Sequence, residues 1–104
     1  MAGGPILLVF DFPARPPGGP EQAAALRALA ESIAQEPGLL WKIWTESAAE
    51  KRAGGAYLFA DRTSAEAYHR KHAERLDRMG ITGIEATYRE VAEPLSRITR
   101  APIP

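Results

Sequence analysis

Both tryptophans of this 104-residue chain lie three residues apart, in Gly38-Leu39-Leu40-Trp41-Lys42-Ile43-Trp44-Thr45-Glu46. The segment reads as a strand, and side chains three apart on a strand point to opposite faces of its sheet. Trp41 and Trp44 therefore cannot share one core. If both are covered, the sheet is covered on both faces. A chain of this length with two helices has material for one face only. The second face needs a partner, and the simplest partner is another copy of the chain.

Composition narrows the classes of function. Lys plus Arg equals Asp plus Glu, at 13 each, so the formal net charge is zero. Nucleic-acid binding needs a basic surplus on one face, which this balance does not supply. Low net charge also weakens the repulsion between copies. The chain has no Cys, which removes disulfides and thiolate metal sites. The apolar run from Ile6 to Phe10 is far too short to cross a membrane, so no membrane partner is expected. No basic stretch leads into a long apolar segment at the start, so no signal peptide is read there. A cytoplasmic location is the expectation, as one domain over residues 1–104 with 92–104 as a C-terminal tail.

Hydropathy patterning sets the order of elements. Ile6 to Phe12 alternates Ile6, Leu8, Phe10 and Phe12 against Leu7, Val9 and Asp11, and both sets are largely apolar, so this strand is central. Pro13 to Pro20 holds four prolines and two glycines and reads as a loop. Glu21 to Glu36 is rich in good helix formers, and Leu26, Leu29, Ala30 and Ile33 recur at helical spacing. Pro37-Gly38 stops that helix. Leu39 to Glu46 and Gly55 to Ala60 are strands close enough to form a hairpin. A second helix runs from about Ser64 to Met79, with a capping side chain in Asp61-Arg62-Thr63-Ser64 and Gly80 at its end. Its apolar stripe is Ala65, Tyr68, His72, Leu76 and Met79. Ile84 to Val91 is a fourth strand, and the rest is a short helical turn at best, then a tail.

The order β-α-β-β-α-β, with two right-handed crossovers joined by a hairpin, predicts an α+β ferredoxin-like antiparallel sheet in strand order 4-1-3-2. Strands one and three are the most apolar. Strands two and four carry Lys42, Glu46, Glu85, Arg89 and Glu90, as edges do. Both helices fall on one face, and the other face needs cover.

Chemistry-bearing residues are few. His72 stands on an apolar helical stripe where Leu is expected. A buried His needs a partner that sets its pKa. It reads as a general base, as a donor to a substrate phenol, or as a structural His bonded to a tyrosine or a carbonyl. His69 lies three residues earlier, but two histidines without a recognised carboxylate rarely hold a catalytic ion, so no metal is expected and His69 is placed at the solvent edge. Trp44 and Trp41 can stack on an aromatic substrate, or serve the core and the dimer interface. Tyr57, Phe59, Tyr68, Tyr88 and Phe10 raise the same choice, and Tyr57 with His72 and Trp44 makes the candidate catalytic set. Lys42 shares a face with Trp44 and Glu46. It can polarise a carbonyl, but a lysine snorkelling past a tryptophan is the commoner arrangement. Gly54-Gly55 permits a bulge or a close backbone approach. No phosphate-binding loop, dinucleotide fingerprint or Gly-x-Ser-x-Gly element occurs.

Ala30 to Ser47, with its Trp-Lys-Ile-Trp-Thr-Glu core, resembles the YdhR-type monooxygenases. So do Ala53 to Phe59, Lys71-His72 with Arg75-Leu76, and Glu93-Pro94-Leu95-Ser96. The similarity runs from about residue 5 to residue 100. It implies a dimeric α+β barrel in which two sheets pack face to face. It also implies kinship with small antibiotic-biosynthesis-type monooxygenases, some of which oxidise aromatic or quinol-like molecules with dioxygen and without metal or flavin. On that footing no cofactor is expected, and the substrate is a small apolar or aromatic molecule. A non-catalytic ligand-binding barrel, or an isomerase on the same scaffold, stays open beside it. The Pro- and Gly-rich stretch from Ala14 to Pro20 departs from the relatives, and at a pocket mouth it would change substrate preference.

Overall fold

Strand-forming residues that alternate in depth, and two helices each with one apolar stripe, assemble as the patterning predicts. A computed structural model describes residues 3–14 and 19–104. The loop reading over residues 15–18 lies outside the described residues. The elements are β1 (Ile6–Pro13), α1 (Gly19–Ile33), β2 (Leu39–Ser47), β3 (Arg52–Phe59), α2 (Arg62–Arg78), β4 (Glu85–Glu90) and α3 (Glu93–Ile98). The sheet order is β2-β3-β1-β4, antiparallel throughout, which is the ferredoxin-like arrangement.

Boundaries moved where local chemistry won. α1 ends at Ile33 rather than Glu36. Pro37 biases Glu36 away from helical geometry, and the last turn tightens, with Gln35 and Glu36 donating to the carbonyls of Ser32 and Ile33 at 3.1 and 3.0 Å. β3 starts at Arg52, three residues before the expected Gly55, because Arg52, Ala53 and Gly54 pair with Pro13, Phe12 and Asp11. α2 begins at Arg62, capped by Asp61, whose carboxylate accepts from Ser64 N at 2.8 Å. α3 is a helix of its own, where the patterning gave a turn at best.

Parity sorts the two faces. Ile6, Leu8, Phe10, Phe12, Tyr57 and Phe59 point to the helices and join Ile33, Ala65, Tyr68 and Leu76 in the core. α2 sinks four side chains there, Ala65, Tyr68, His72 and Leu76, whereas α1 sinks only Ile33. At about 1.5–3 kcal/mol for each large apolar side chain buried, α2 anchors the layer and α1 lies over it as a lighter roof. Lys71 helps fix the turn after α1, donating to Glu36 Oε2 at 2.6 Å.

A register shift between Leu39 and Trp41 makes Leu40 an extra residue in β2. Leu39 pairs with Phe59 on the helix side, Trp41 with Leu58 on the opposite side, and Lys42 with Tyr57 on the helix side again. The two tryptophans thus occupy opposite faces. On the helix-free face Leu7, Val9, Ala56, Ile43 and Trp41 stand among polar neighbours. The chain's own tail covers one corner: Trp41 Nε1 donates to the carbonyl of Pro102 at 2.8 Å. Leu58 is buried there. Ile43 stays 56 % exposed, and Leu95 and Ile98 of α3 are 69 % and 76 % exposed, so apolar surface remains open near this face.

Gly54 explains part of the sheet's tightness. A Cβ at Gly54 would overlap the carbonyl oxygen of Phe10, so the β1 backbone approaches as closely as only glycine allows. Of the two expectations for Gly54-Gly55, this is the close approach, since the bulge sits at Leu40.

Candidate active site

Between the helices and the sheet lies a cavity of about 660 Å³. Its floor is Lys42 from β2 and Ala53 and Tyr57 from β3, with Trp44 of β2 standing at the wall. Leu26 and Leu29 of α1 roof it, and His72 and Leu76 of α2, with Met79 just past the helix end, form part of its wall. Thr45, Glu46 and Ser47 rim the hairpin end. The size suits a small aromatic molecule, and the apolar lining with a few polar groups is what ligand sites share.

The inner polar groups are organised by bonds. Arg75 lies three residues beyond His72, hence on the same side of α2. Its Nε and Nη2 lie 3.2 and 2.9 Å from His72 Nδ1. A guanidinium only donates, so Nδ1 accepts and the ring proton sits on Nε2. Burial first, then the charges of Arg75 and Lys42, lowers the His72 pKa from 6.5 to about 3. His72 is therefore a neutral imidazole whose free nitrogen is a donor. Of the roles open to it from sequence, this geometry favours the donor over the base.

Tyr68 donates its hydroxyl proton to Tyr57 Oη at 3.1 Å. That leaves the Tyr57 O–H as a donor in turn. Burial raises the pKa of both phenols, that of Tyr68 to about 12, so both stay protonated. The Tyr68 and His72 rings stack, with centroids 5.0 Å apart, and Phe10 meets Tyr57 edge-on at 5.7 Å. These contacts hold the donors in place.

Lys42 reaches inward across Gly55. A Cβ at Gly55 would lie 2.6 Å from Lys42 Cε, so the bare glycine makes room for the lysine stem. The ammonium ends 3.3 Å from the centroid of the Trp44 ring and 4.6 Å from that of Tyr57. Those ring faces favour its charged form. Desolvation and the nearby Arg75 oppose it, and the pKa falls from 10.5 to about 7.

The structure thus brings His72, Tyr57 and Trp44 to one cavity. Trp44 is 44 % exposed at the wall, a surface a bound molecule can cover. Phe10, Phe59 and Tyr68 are buried in the core beside it and support its floor. Tyr88 is elsewhere: its hydroxyl lies 2.6 Å from His69 Nδ1. His69 is accordingly half-buried against Tyr88 and Phe10 rather than at the solvent edge. Trp41 faces away from the cavity. Among the described residues no group of three His, Cys, Asp or Glu side chains is placed to hold a metal, and no helix is long and apolar enough to cross a membrane. Sequence reasoning undervalued Lys42 and gave Arg75 no role. The available signals were the parity of Lys42, which shares its face with Trp44, and a cation one helical turn from a buried histidine.

The ferredoxin-like α+β layer is a fold shared with solved structures. A crystal structure of a putative antibiotic biosynthesis monooxygenase from Caulobacter crescentus CB15 superposes with a TM-score of 0.60 at 22 % identity, over 88 % of this chain and 93 % of that one. One from Deinococcus radiodurans gives 0.57 at 19 %, over 85 % and 93 %. These two likenesses concern the fold. The family described as "Putative mono-oxygenase ydhR" matches residues 7–102, and the chain belongs to it. No curated protein matches the chain.

Proposed function

We propose that this protein is a cofactor-independent monooxygenase acting on a small phenolic or quinol-like aromatic in the cavity between helices and sheet. The observation that carries the reading is a set of hydrogen-bond donors, His72 and Tyr57, at the inner end of an aromatic-lined cavity in a member of a mono-oxygenase family. Trp44 supplies a stacking face at the wall. The substrate gives up a proton, and the anion passes one electron to dioxygen. The radical pair joins at carbon, the peroxide takes the proton back, and loss of water leaves a carbonyl. The substrate loses four electrons in all; one oxygen atom enters the product and the other leaves as water. No outside reductant is needed for that balance. His72 and Tyr57 donate to the oxygen on which negative charge collects.

The working unit in this reading is a homodimer. Exposed Ile43, with Leu7 and Val9 on the helix-free face, gives a second copy an apolar surface to cover. Incubation with anthrone or a quinol, with oxygen uptake followed for the wild type and His72→Ala, tests the reaction. A clear drop in the variant is expected, and equal rates would remove His72 from the mechanism. Ligand binding that quenches tryptophan fluorescence but gives no oxygen-dependent product would make the protein a binding module instead.

A further inference from the structure

The polar groups at the cavity's inner end share one property. His72 offers Nε2–H, because Arg75 occupies Nδ1. Tyr57 offers O–H, because Tyr68 already donates to its oxygen. Lys42 Nζ rests against the two aromatic faces and, among the described residues, has neither a carboxylate within ion-pair distance nor a hydrogen-bond acceptor. Three donors from three elements, β2, β3 and α2, thus line one cavity, and its carboxylate, that of Glu46, stands at the rim. Of these three groups, an uncharged Lys42 is the one basic enough to take the proton of a bound acidic hydroxyl.

We propose that the inner end of the cavity binds the ionised form of an acidic aromatic hydroxyl, with Lys42 as the base that takes its proton and His72 and Tyr57 as the donors that hold the resulting oxyanion. This rests on the cavity being the substrate site, and it narrows the substrate class to phenols and enols acidic enough to yield to an amine. The step is a proton transfer only: the O–H bond breaks, an N–H bond forms on Nζ, and the ammonium pairs with the oxyanion it made. Surrounding charges favour that product. From α2 the Arg75 guanidinium faces Lys42 and His72, while Tyr68 stays neutral. From β3 come Tyr57, also neutral, and at the strand's start Arg52, already paired with Asp11 and Glu85 at 2.8 Å each. From β2 the carboxylate of Glu46 stands at the exposed rim. Cations therefore dominate the inner end, and the lowered pKa of Lys42 leaves a fraction of the amine ready to accept.

The test uses 4-hydroxyacetophenone, whose phenolate absorbs clear of the protein, and its neutral methyl ether, without turnover. At a pH above that of Lys42 but below that of the free phenol, the bound phenol should show the phenolate spectrum and bind at least tenfold tighter than the ether. In Lys42→Met the phenolate band should vanish and the preference fall to about one. Lys42→Arg separates holding from accepting. Arginine holds the anion but cannot take the proton, so in weak buffer this variant should release one proton per phenol bound, whereas the wild type releases almost none. Wild-type binding as the neutral phenol, a phenolate band that survives Lys42→Met, or equal proton release in wild type and Lys42→Arg each overturns the proposal. If the ether binds and the phenol binds no better, the inference fails while the cavity stands as the site. If neither binds, the cavity reading falls with it.

Discussion

Lowering the pH from about 7 to about 4.5 should unfold this protein in part through His72. The ring is neutral in the fold because burial excludes charge and the Arg75 and Lys42 cations oppose a further proton; its pKa is about 3, against 6.5 for a free imidazole. Between those values the unfolded chain binds a proton that the folded chain refuses, so stability falls as pH falls through this window. Two pH units inside the window, at about 1.36 kcal/mol each, set an upper bound of about 2.5 kcal/mol. The ring borders a cavity that water reaches, and screening cuts this to about 1.5 kcal/mol. Against a total of about 5–15 kcal/mol for a small domain, that is measurable. The carboxylates contribute their own acid sensitivity, so the comparison is with His72→Gln, which still accepts from Arg75 but does not titrate. Urea unfolding followed by tryptophan fluorescence, at both pH values and one protein concentration, gives the double difference. With slopes of about 1–3 kcal/mol per molar urea, the wild-type midpoint should fall by roughly 0.5–1.5 M more than that of the variant. Equal pH shifts in the two proteins would refute the argument that His72 is held neutral.

Lys42→Met should be more stable than the wild type at neutral pH, by about 1 kcal/mol, because it removes a poorly solvated charge; the wild type itself should gain thermal stability as pH rises from about 7 toward 10.5, the window its lowered pKa opens. Gly54→Ala forces a methyl group onto the Phe10 carbonyl and should cost about 3 kcal/mol or abolish folding, read by urea unfolding. Gly55→Ala meets the movable Lys42 stem at 2.6 Å and the Ile43 carbonyl oxygen at 3.0 Å, a milder overlap than at Gly54, so it should cost about 1–3 kcal/mol while displacing the ammonium and weakening phenol binding. Val9→Arg on the helix-free face should yield monomers in sedimentation at micromolar concentration.

Much of the fold was legible because it depends on local period. The parity of Trp41 and Trp44 gave a sheet with two unlike faces, and the stripe through Tyr68, His72 and Leu76 gave the buried face of α2. What could not be read depends on neighbours brought together by folding. Lys42 becomes a half-buried amine of lowered pKa because Gly55, on another strand, leaves a gap for it among apolar neighbours, and because Arg75 approaches from a helix. Nothing local to Trp-Lys-Ile-Trp announces either. His72 stood out as a polar residue on an apolar stripe, but its tautomer follows from a bond that only the helix geometry specifies. The cover over Trp41 came partly from the chain's own tail at Pro102, a contact across 61 residues that no pattern near the tryptophan encodes.

The donor set of Lys42, His72 and Tyr57 also bears on how the proposed reaction cycle would end. It grips an oxyanion through charge-assisted bonds, which are roughly twice as strong as neutral ones. A quinone carries no such charge, so oxidation itself loosens the grip on the molecule that leaves. Inhibition by accumulated quinone should therefore be weak.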